Sequence, residues 1–257
     1  MAHNTDFAGR TALVTGAASG IGAAVARWLA ERGIARLILV DPNLAGLEAL
    51  KLDCKTECHG ESVADEAFWT RFDARELALD HVAVNAGIGG SGEIADLSLE
   101  EWRRVMAVNL DGAFMTLRSG IRAMKRTGSQ TSHASAVVTA SITGVKPVPG
   151  IGPYGVAKAG VAHMARIAAA ENAAHGIRIN AIAPGGVDTA IWEGSPEFVK
   201  SVAENGRKAT LKGMAVGTPR GRFATPDELA SEIGFLLSDA SANITGHVLV
   251  SDGGYSF

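Results

Sequence analysis

From Thr11 onward the chain repeats one pattern: a short run of β-branched and aliphatic residues, a turn, then a longer Ala-rich stretch with helical periodicity. This alternation constrains the fold more than any other feature, because parallel neighbouring strands need a long crossover and a helix is the usual one. The strand candidates are TALVTG, RLILVD, a weaker KTECHGE, HVAVNAG, SAVVTAS, IRINAIAP and HVLVSDGG, with helical segments near 21–32, 65–77, 99–126, 154–175 and 226–238. Strands this uniformly apolar belong to a sheet covered on both faces. The expected architecture is α/β, with seven parallel strands in one sheet between two helical layers. Neither an internal repeat nor a shift in composition divides residues 1–257, so one domain is expected.

One connection is long. Residues 188–225 include Ile191, Trp192, Phe198, Val199, Met214 and Val216, which are too apolar for a solvated linker. A connection of that length in a compact protein is a linker or a lid, so the expectation is a mobile lid with one short helix over a small-molecule site. The 24 basic and 27 acidic residues leave a formal net charge of −3, which argues against nucleic acid or an anionic membrane as partner. MAHNTDFAGR lacks the apolar core of a signal peptide and no apolar run is long enough for a bilayer, which points to the cytoplasm. Cys54, Cys58 and His59 in CKTECH lack a second ligand pair, so no metal site is expected. On a strand the two cysteines would stand about 13 Å apart, beyond disulfide reach, and reduced thiols follow.

The first strand runs into TGAASGIG, residues 15–22, and a helix follows. Gly16, Gly20 and Gly22 have no Cβ, so the backbone can turn tightly, approach a pyrophosphate and pack the helix on the sheet, whose N-terminus then faces the anion. The spacing is GxxxGxG rather than the common GxGxxG. The second strand ends in Asp41, within LILVDPN, where a carboxylate can accept from ribose hydroxyls and repel a 2′-phosphate. Neither Ala18, Pro42 nor Asn43 offers a 2′-phosphate a positive charge, and the cofactor expected is NAD. Asp41 would also suit the start of a turn with Pro42.

Tyr154 and Lys158 stand four apart in YGVAK, and Ser141 lies thirteen residues upstream. On a helix the phenol and the ammonium share a face. A tyrosine with pKa near ~10 is a poor base at neutral pH, but a neighbouring cation favours phenolate. A hydroxyl such as Ser141 could hold the reacting oxygen. Taken alone, a Tyr and a Lys at this spacing also arise by chance.

TGAASGIG, NAG at 85–87, Asn109 in VNLDGAF, Ser141, YGVAK and PGGVDT at 184–189, in that order, resemble the short-chain dehydrogenase/reductase family over nearly the whole chain. The length and the Tyr–Lys spacing look like its compact branch. The resemblance implies a three-layer, doubly wound Rossmann fold. It implies that Tyr154 exchanges the proton with the substrate oxygen, that Ser141 polarises that oxygen, and that Lys158 binds the nicotinamide ribose and lowers the Tyr154 pKa. Asn109 would expose a backbone carbonyl holding a water in a relay to Lys158. Gly16, Ser19, Gly20, Ile21 and Gly22 would meet the pyrophosphate, Asp41 the adenosine ribose, and Asn85, Ala86 and Gly87 the cofactor after the fourth strand. Pro184, Gly185, Val187 and Thr189 would frame the nicotinamide. Two positions depart from the family: Val84 replaces a frequent first asparagine, and Ser62 and Val63 stand where Asp and Val often flank adenine.

The implied reaction is reversible hydride transfer between NAD and a secondary alcohol. Its rivals are an NAD-binding regulator without catalysis, a 3-oxoacyl thioester reductase, and an enoyl reductase, whose Tyr and Lys are spaced more widely. Candidate pocket walls are Ile88, Gly89, Ile142, Val148, Ile151, Gly186, Ile191, Trp192 and Met214, an apolar set that suits a hydrophobic or cyclic alcohol. Lys146 is expected to be a solvated loop lysine. The helices at 99–126 and 154–175 suggest an oligomer, the second being apolar and small-sided over more surface than one sheet face covers. With the family resemblance they favour a homotetramer, or failing that a dimer.

Overall fold

A computed structural model describes residues 6–127 and 134–257. Seven strands form one sheet: β1 Thr11–Thr15, β2 Arg36–Val40, β3 Lys55–His59, β4 His81–Val84, β5 Ser135–Thr139, β6 Arg178–Pro184 and β7 Val248–Ser251. Their order is β3-β2-β1-β4-β5-β6-β7 and every pairing is parallel. The helices are α1 Gly20–Ala30, α2 Leu44–Glu48, α3 Glu66–Asp73, α4 Leu99–Met106, α5 Ala113–Thr127, α6 Gly152–Asn172, α7 Pro196–Asn205, α8 Arg207–Met214 and α9 Pro226–Leu237.

Alternation along each strand splits the core in two. Leu13, Ile38, Ala136 and Val138 face Trp69, Phe72, Leu117 and Val161, the layer of α3, α5 and α6. Ala12, Val14, Leu37 and Val137 face Val25, Leu29, Leu229 and Ile233, the layer of α1 and α9. Both faces are dry, which is why the central strands read as continuous apolar runs. The chain leaves β1 towards β2 on one side and later returns to place β4 on the other. The loops after β1 and β4 therefore diverge, and a crevice opens at their carboxyl ends, where doubly wound sheets bind ligands.

Several elements differ from the sequence expectation. The helix expected at 99–126 is interrupted by a π-helical turn, Ala107–Gly112, between α4 and α5. The short α2 was not anticipated; Asn43 caps it by accepting from the Gly46 N–H at 3.0 Å. The connection 188–225 holds two helices rather than one. Ser195 caps α7 with Pro196 in its first turn, and Gly206, at φ 79°, breaks the chain between α7 and α8. Thr225 and Glu228 close a capping box at α9.

Candidate active site

The loop from β1 to α1 is built for close approach. A Cβ on Gly22 would fall 2.1 Å from the Gly16 carbonyl oxygen, and one on Gly16, itself at φ 66°, 2.8 Å from Ala86 Cα. Ser19 caps α1 in extended conformation without a side-chain cap bond, and the first turn of α1 carries no acidic residue. The positive helix end and a free hydroxyl thus face the crevice, a cradle that fits a dinucleotide pyrophosphate. Asp41 starts the expected turn and also makes a contact that the sequence did not suggest. One carboxylate oxygen accepts from the Ala18 N–H at 3.2 Å, bracing the glycine loop, and the other accepts from Asn43 at 2.9 Å, starting the turn.

A chain of hydrogen bonds then crosses the strand ends. Thr15 Oγ1 accepts from the N–H groups of Asn85 and Ala86 at 3.1 and 3.2 Å. The Asn85 amide donates to Thr15 O at 3.2 Å and accepts from the Thr139 hydroxyl at 3.2 Å. Lys158 Nζ donates to Thr139 O at 2.7 Å. Thr15 and Thr139 escaped the sequence reading. Each ends a strand, in TALVT and SAVVT, immediately before a loop of the site, and that shared place is the signal that could have found them.

Asn109 is fully buried in the π turn. Its amide donates to Ile88 O at 2.9 Å and Val105 O at 3.1 Å, and accepts from Ile88 N–H at 3.2 Å, clamping the loop after β4. A π turn inside a helix re-spaces the backbone ladder and is frequent at functional sites. A Cβ on Gly87 would lie 2.7 Å from Asn109 Oδ1 and 3.3 Å from Lys158 Nζ, so three elements converge on that glycine.

Tyr154 and Lys158 occupy the first turns of α6, with Nζ 5.6 Å from the phenol ring centre. Lys158 is buried, and burial lowers its pKa from 10.5 to about 8. Tyr154 is only partly buried as a residue, yet burial is the largest influence on its phenol, raising it from 10.0 to about 12 while the Ser141 hydroxyl pulls it down. Lys158, expected to tune the phenol, is not among these influences. One N–H of the ammonium goes to Thr139 O, and desolvation dominates at the phenol. The phenol is protonated at neutral pH, the form that can donate to a ketone oxygen, while desolvation moves it away from the range that suits proton exchange in both directions.

Pro184 ends β6, and a Cβ on Gly185 would fall 2.8 Å from Asp252 Cα. Val187 bridges Ala224, and Thr189 lies against Gly20, joining the two ends of the expected cofactor cleft. Ser62 caps its own turn through the Ala64 N–H, and Val63 is buried against Gly112.

Two expected pocket walls have other work. The Trp192 indole N–H donates to Val187 O at 2.7 Å and its ring stacks on Phe223, which in turn covers Gly186. Ile191 does face Gly89 across the cleft. Lys146 is not simply solvated: Nζ donates to Tyr255 O at 2.9 Å and sits 4.6 Å from the Tyr255 ring centre. Cys54 and Cys58 are free, and burial pushes both thiols up. Among the described residues no cluster of His, Cys, Asp and Glu could hold a metal, and no helix is long and apolar enough to cross a membrane.

Residues 16–256 match the family model described as enoyl-(acyl carrier protein) reductase. The chain is 38% identical over 260 residues to cis-4-hydroxycyclohexanecarboxylate dehydrogenase of Sinomonas cyclohexanicum, covering 97% of this chain and 98% of that one. It is 34% identical to the NADP-dependent (R)-specific alcohol dehydrogenase of Lentilactobacillus kefiri, over 96% of this chain and 97% of the relative. The crystal structure of levodione reductase superposes with a TM-score of 0.84 at 34% identity, over 97% of this chain and 98% of that chain.

Proposed function

The chain belongs to the short-chain dehydrogenase/reductase family, and we propose that it interconverts a cyclic or otherwise hydrophobic secondary alcohol and its ketone with NAD. The observation that carries this reading is the convergence of Ser141, Tyr154 and Lys158 beside a glycine-lined helix N-terminus. When bound, the nicotinamide ring accepts or gives the hydride. Every other task falls to the chain. Gly16, Ser19, Gly20, Ile21 and Gly22 hold the pyrophosphate, Asp41 the adenosine ribose, and Ser62 and Val63 the adenine edge. Asn85, Ala86, Gly87, Pro184, Gly185, Val187 and Thr189 line the nicotinamide half. Tyr154 moves the proton at the substrate oxygen, Ser141 donates a hydrogen bond to that oxygen, and Lys158 fixes the ribose hydroxyls. The π turn at Asn109 offers a backbone carbonyl for a water that links Lys158 to solvent.

The description of the matching family model names enoyl reduction, but the four-residue step from Tyr154 to Lys158 favours alcohol and ketone chemistry. The cyclic substrate class draws on the apolar wall around Ile88 and Ile191 and on the relative that acts on a hydroxycyclohexane acid. Asp41 supports NAD over NADP, since no cation stands beside it in LILVDPN. Residues 1–257 act as one catalytic domain in the cytoplasm. Phe114 on α5 and Ile167 on α6, 47% and 49% exposed, flank a groove of ≈ 530 Å³ that supports a homotetramer, with a dimer as the smaller alternative.

The decisive experiment is Tyr154→Phe assayed on a panel of cyclic secondary alcohols and ketones. Loss of turnover with cofactor binding retained is expected, and turnover near the wild-type rate would overturn the assignment. The ratio of kcat/KM with NADH to that with NADPH tests Asp41. Sedimentation at the mass of a 26.5 kDa monomer would exclude the oligomer.

A further inference from the structure

Thr143 stands two residues beyond Ser141, in the 3-10 turn Ile142–Gly144, and both of its donors go to one atom. Its backbone N–H reaches Ser141 Oγ at 3.2 Å and its hydroxyl reaches the same oxygen at 3.0 Å. A serine hydroxyl has two acceptor lone pairs and one proton. With both lone pairs engaged, Ser141 is left to act as a donor, to the Tyr154 phenol until a substrate oxygen takes that place, and a hydroxyl whose oxygen already accepts is the stronger donor for it. The turn has little room to shift. A Cβ on Gly144 would meet the Lys158 carbonyl carbon and the Ala159 nitrogen at 2.6 Å, and one on Gly155 would meet Thr143 O at 3.1 Å. The backbone of Thr143 is therefore pressed against the first turns of α6, and its β-branched side chain is stiff at χ1.

We infer that Thr143 is a positioning residue for Ser141: by filling both lone pairs it commits the Ser141 proton to the reacting oxygen of the substrate. This rests on the reading of Ser141 given above. Ile142, Gly144 and the rest of the turn present no side-chain hydroxyl that could replace it.

Steady-state kinetics of Thr143→Val, Thr143→Ser, Ser141→Ala and the Thr143→Val/Ser141→Ala double variant test it. Valine keeps the shape and the backbone donor and removes only the hydroxyl. Expected for Thr143→Val is a kcat about fivefold to tenfold lower, the worth of one neutral hydrogen bond, with unchanged cofactor affinity. The limb of the pH profile set by Tyr154 should move to higher pH, a change that a purely structural role would not bring. Thr143→Ser should recover most of the rate, and Thr143→Val should cost nothing further on the residual activity of Ser141→Ala. If Ser141→Ala turns over like wild type, the reading of Ser141 fails and takes the inference with it. If Ser141→Ala is crippled while Thr143→Val matches wild type, or loses as much in either background, Thr143 does not act through Ser141. In that event the inference falls and the assignment of Ser141 stands.

Discussion

Lys158→Met should stabilise the cofactor-free protein while abolishing its turnover. Burial lowers the Lys158 pKa from 10.5 to about 8, and at about 1.4 kcal/mol per pKa unit this amounts to a cost of ~3 kcal/mol for keeping the ammonium inside at neutral pH. Against it stands the hydrogen bond to Thr139 O at 2.7 Å, which as a charged donor contributes about 1.5 kcal/mol. Methionine fills the same space without a charge, so the net gain is about 1–2 kcal/mol. For a chain of this length that corresponds to a Tm rise of about 3–6 °C. The difference must also depend on pH, and its sign is set by the order of the two pKa values. The folded pKa, about 8, lies below the unfolded value of 10.5, so the folded protein releases the proton first and wild type gains stability as pH rises through that window. The advantage of the methionine variant is therefore full below about pH 8 and shrinks towards pH 10.5. Tyr154, raised from 10.0 to about 12, acts only above pH 10 and is present in both proteins. Thermal unfolding of both apoproteins at neutral pH and at about pH 9.5 is the assay. A methionine variant that melts below wild type at neutral pH, or a difference that does not narrow by the higher pH, would show that the buried ammonium is not a net cost. A site that stores destabilisation in this way is what trading stability for activity predicts.

Gly22→Ala, whose Cβ would sit 2.1 Å from Gly16 O, should weaken NADH binding tenfold to a hundredfold in a fluorescence titration, matching the ~1–3 kcal/mol of an overpacked contact. Gly194→Ala, with nothing within 4 Å of the new methyl, should leave affinity unchanged. Arg178 is buried on β6 and caps the end of α9 through the carbonyls of Leu236, Leu237 and Ser238, at 2.8, 3.1 and 2.8 Å. Arg178→Met is expected to cost about 3 kcal/mol and lower Tm by about 6–12 °C in calorimetry. Trp192→Phe keeps the stack on Phe223 but loses the bond to Val187 O at 2.7 Å. Its substrate KM should rise about threefold to tenfold while NADH affinity holds, and an unchanged KM would mean that this anchor does not shape the pocket.

Much of the site was legible because its signals are local. The glycine run, the acid at the end of β2 and the four-residue step from Tyr154 to Lys158 each depend on conformational freedom or on helical pitch, which neighbours in sequence encode. The division of 188–225 into two helices rather than the one expected was legible too: Ser195-Pro196 is a helix start and Gly206 a stop. The π turn was not, since nothing in AVNLDG departs from an ordinary helical pattern. The roles of Trp192 and Lys146 were hidden for another reason, because Phe223 and Tyr255 lie 31 and 109 residues away from them.

A parallel, doubly covered sheet and the chemical types gathered at its carboxyl edge can be read from the chain alone, because strand and helix periods and glycine's missing Cβ act over a few residues. What those groups do to one another depends on how the elements pack. Thr15, Asn85, Thr139 and Lys158 form one hydrogen-bonded chain only because β4 lies between β1 and β5. The acidity of Tyr154 and of Lys158 follows from how far packing removes each from water. Desolvation is a property of the assembled volume, so the residues could be named from the chain, but the direction of their pKa shifts could not.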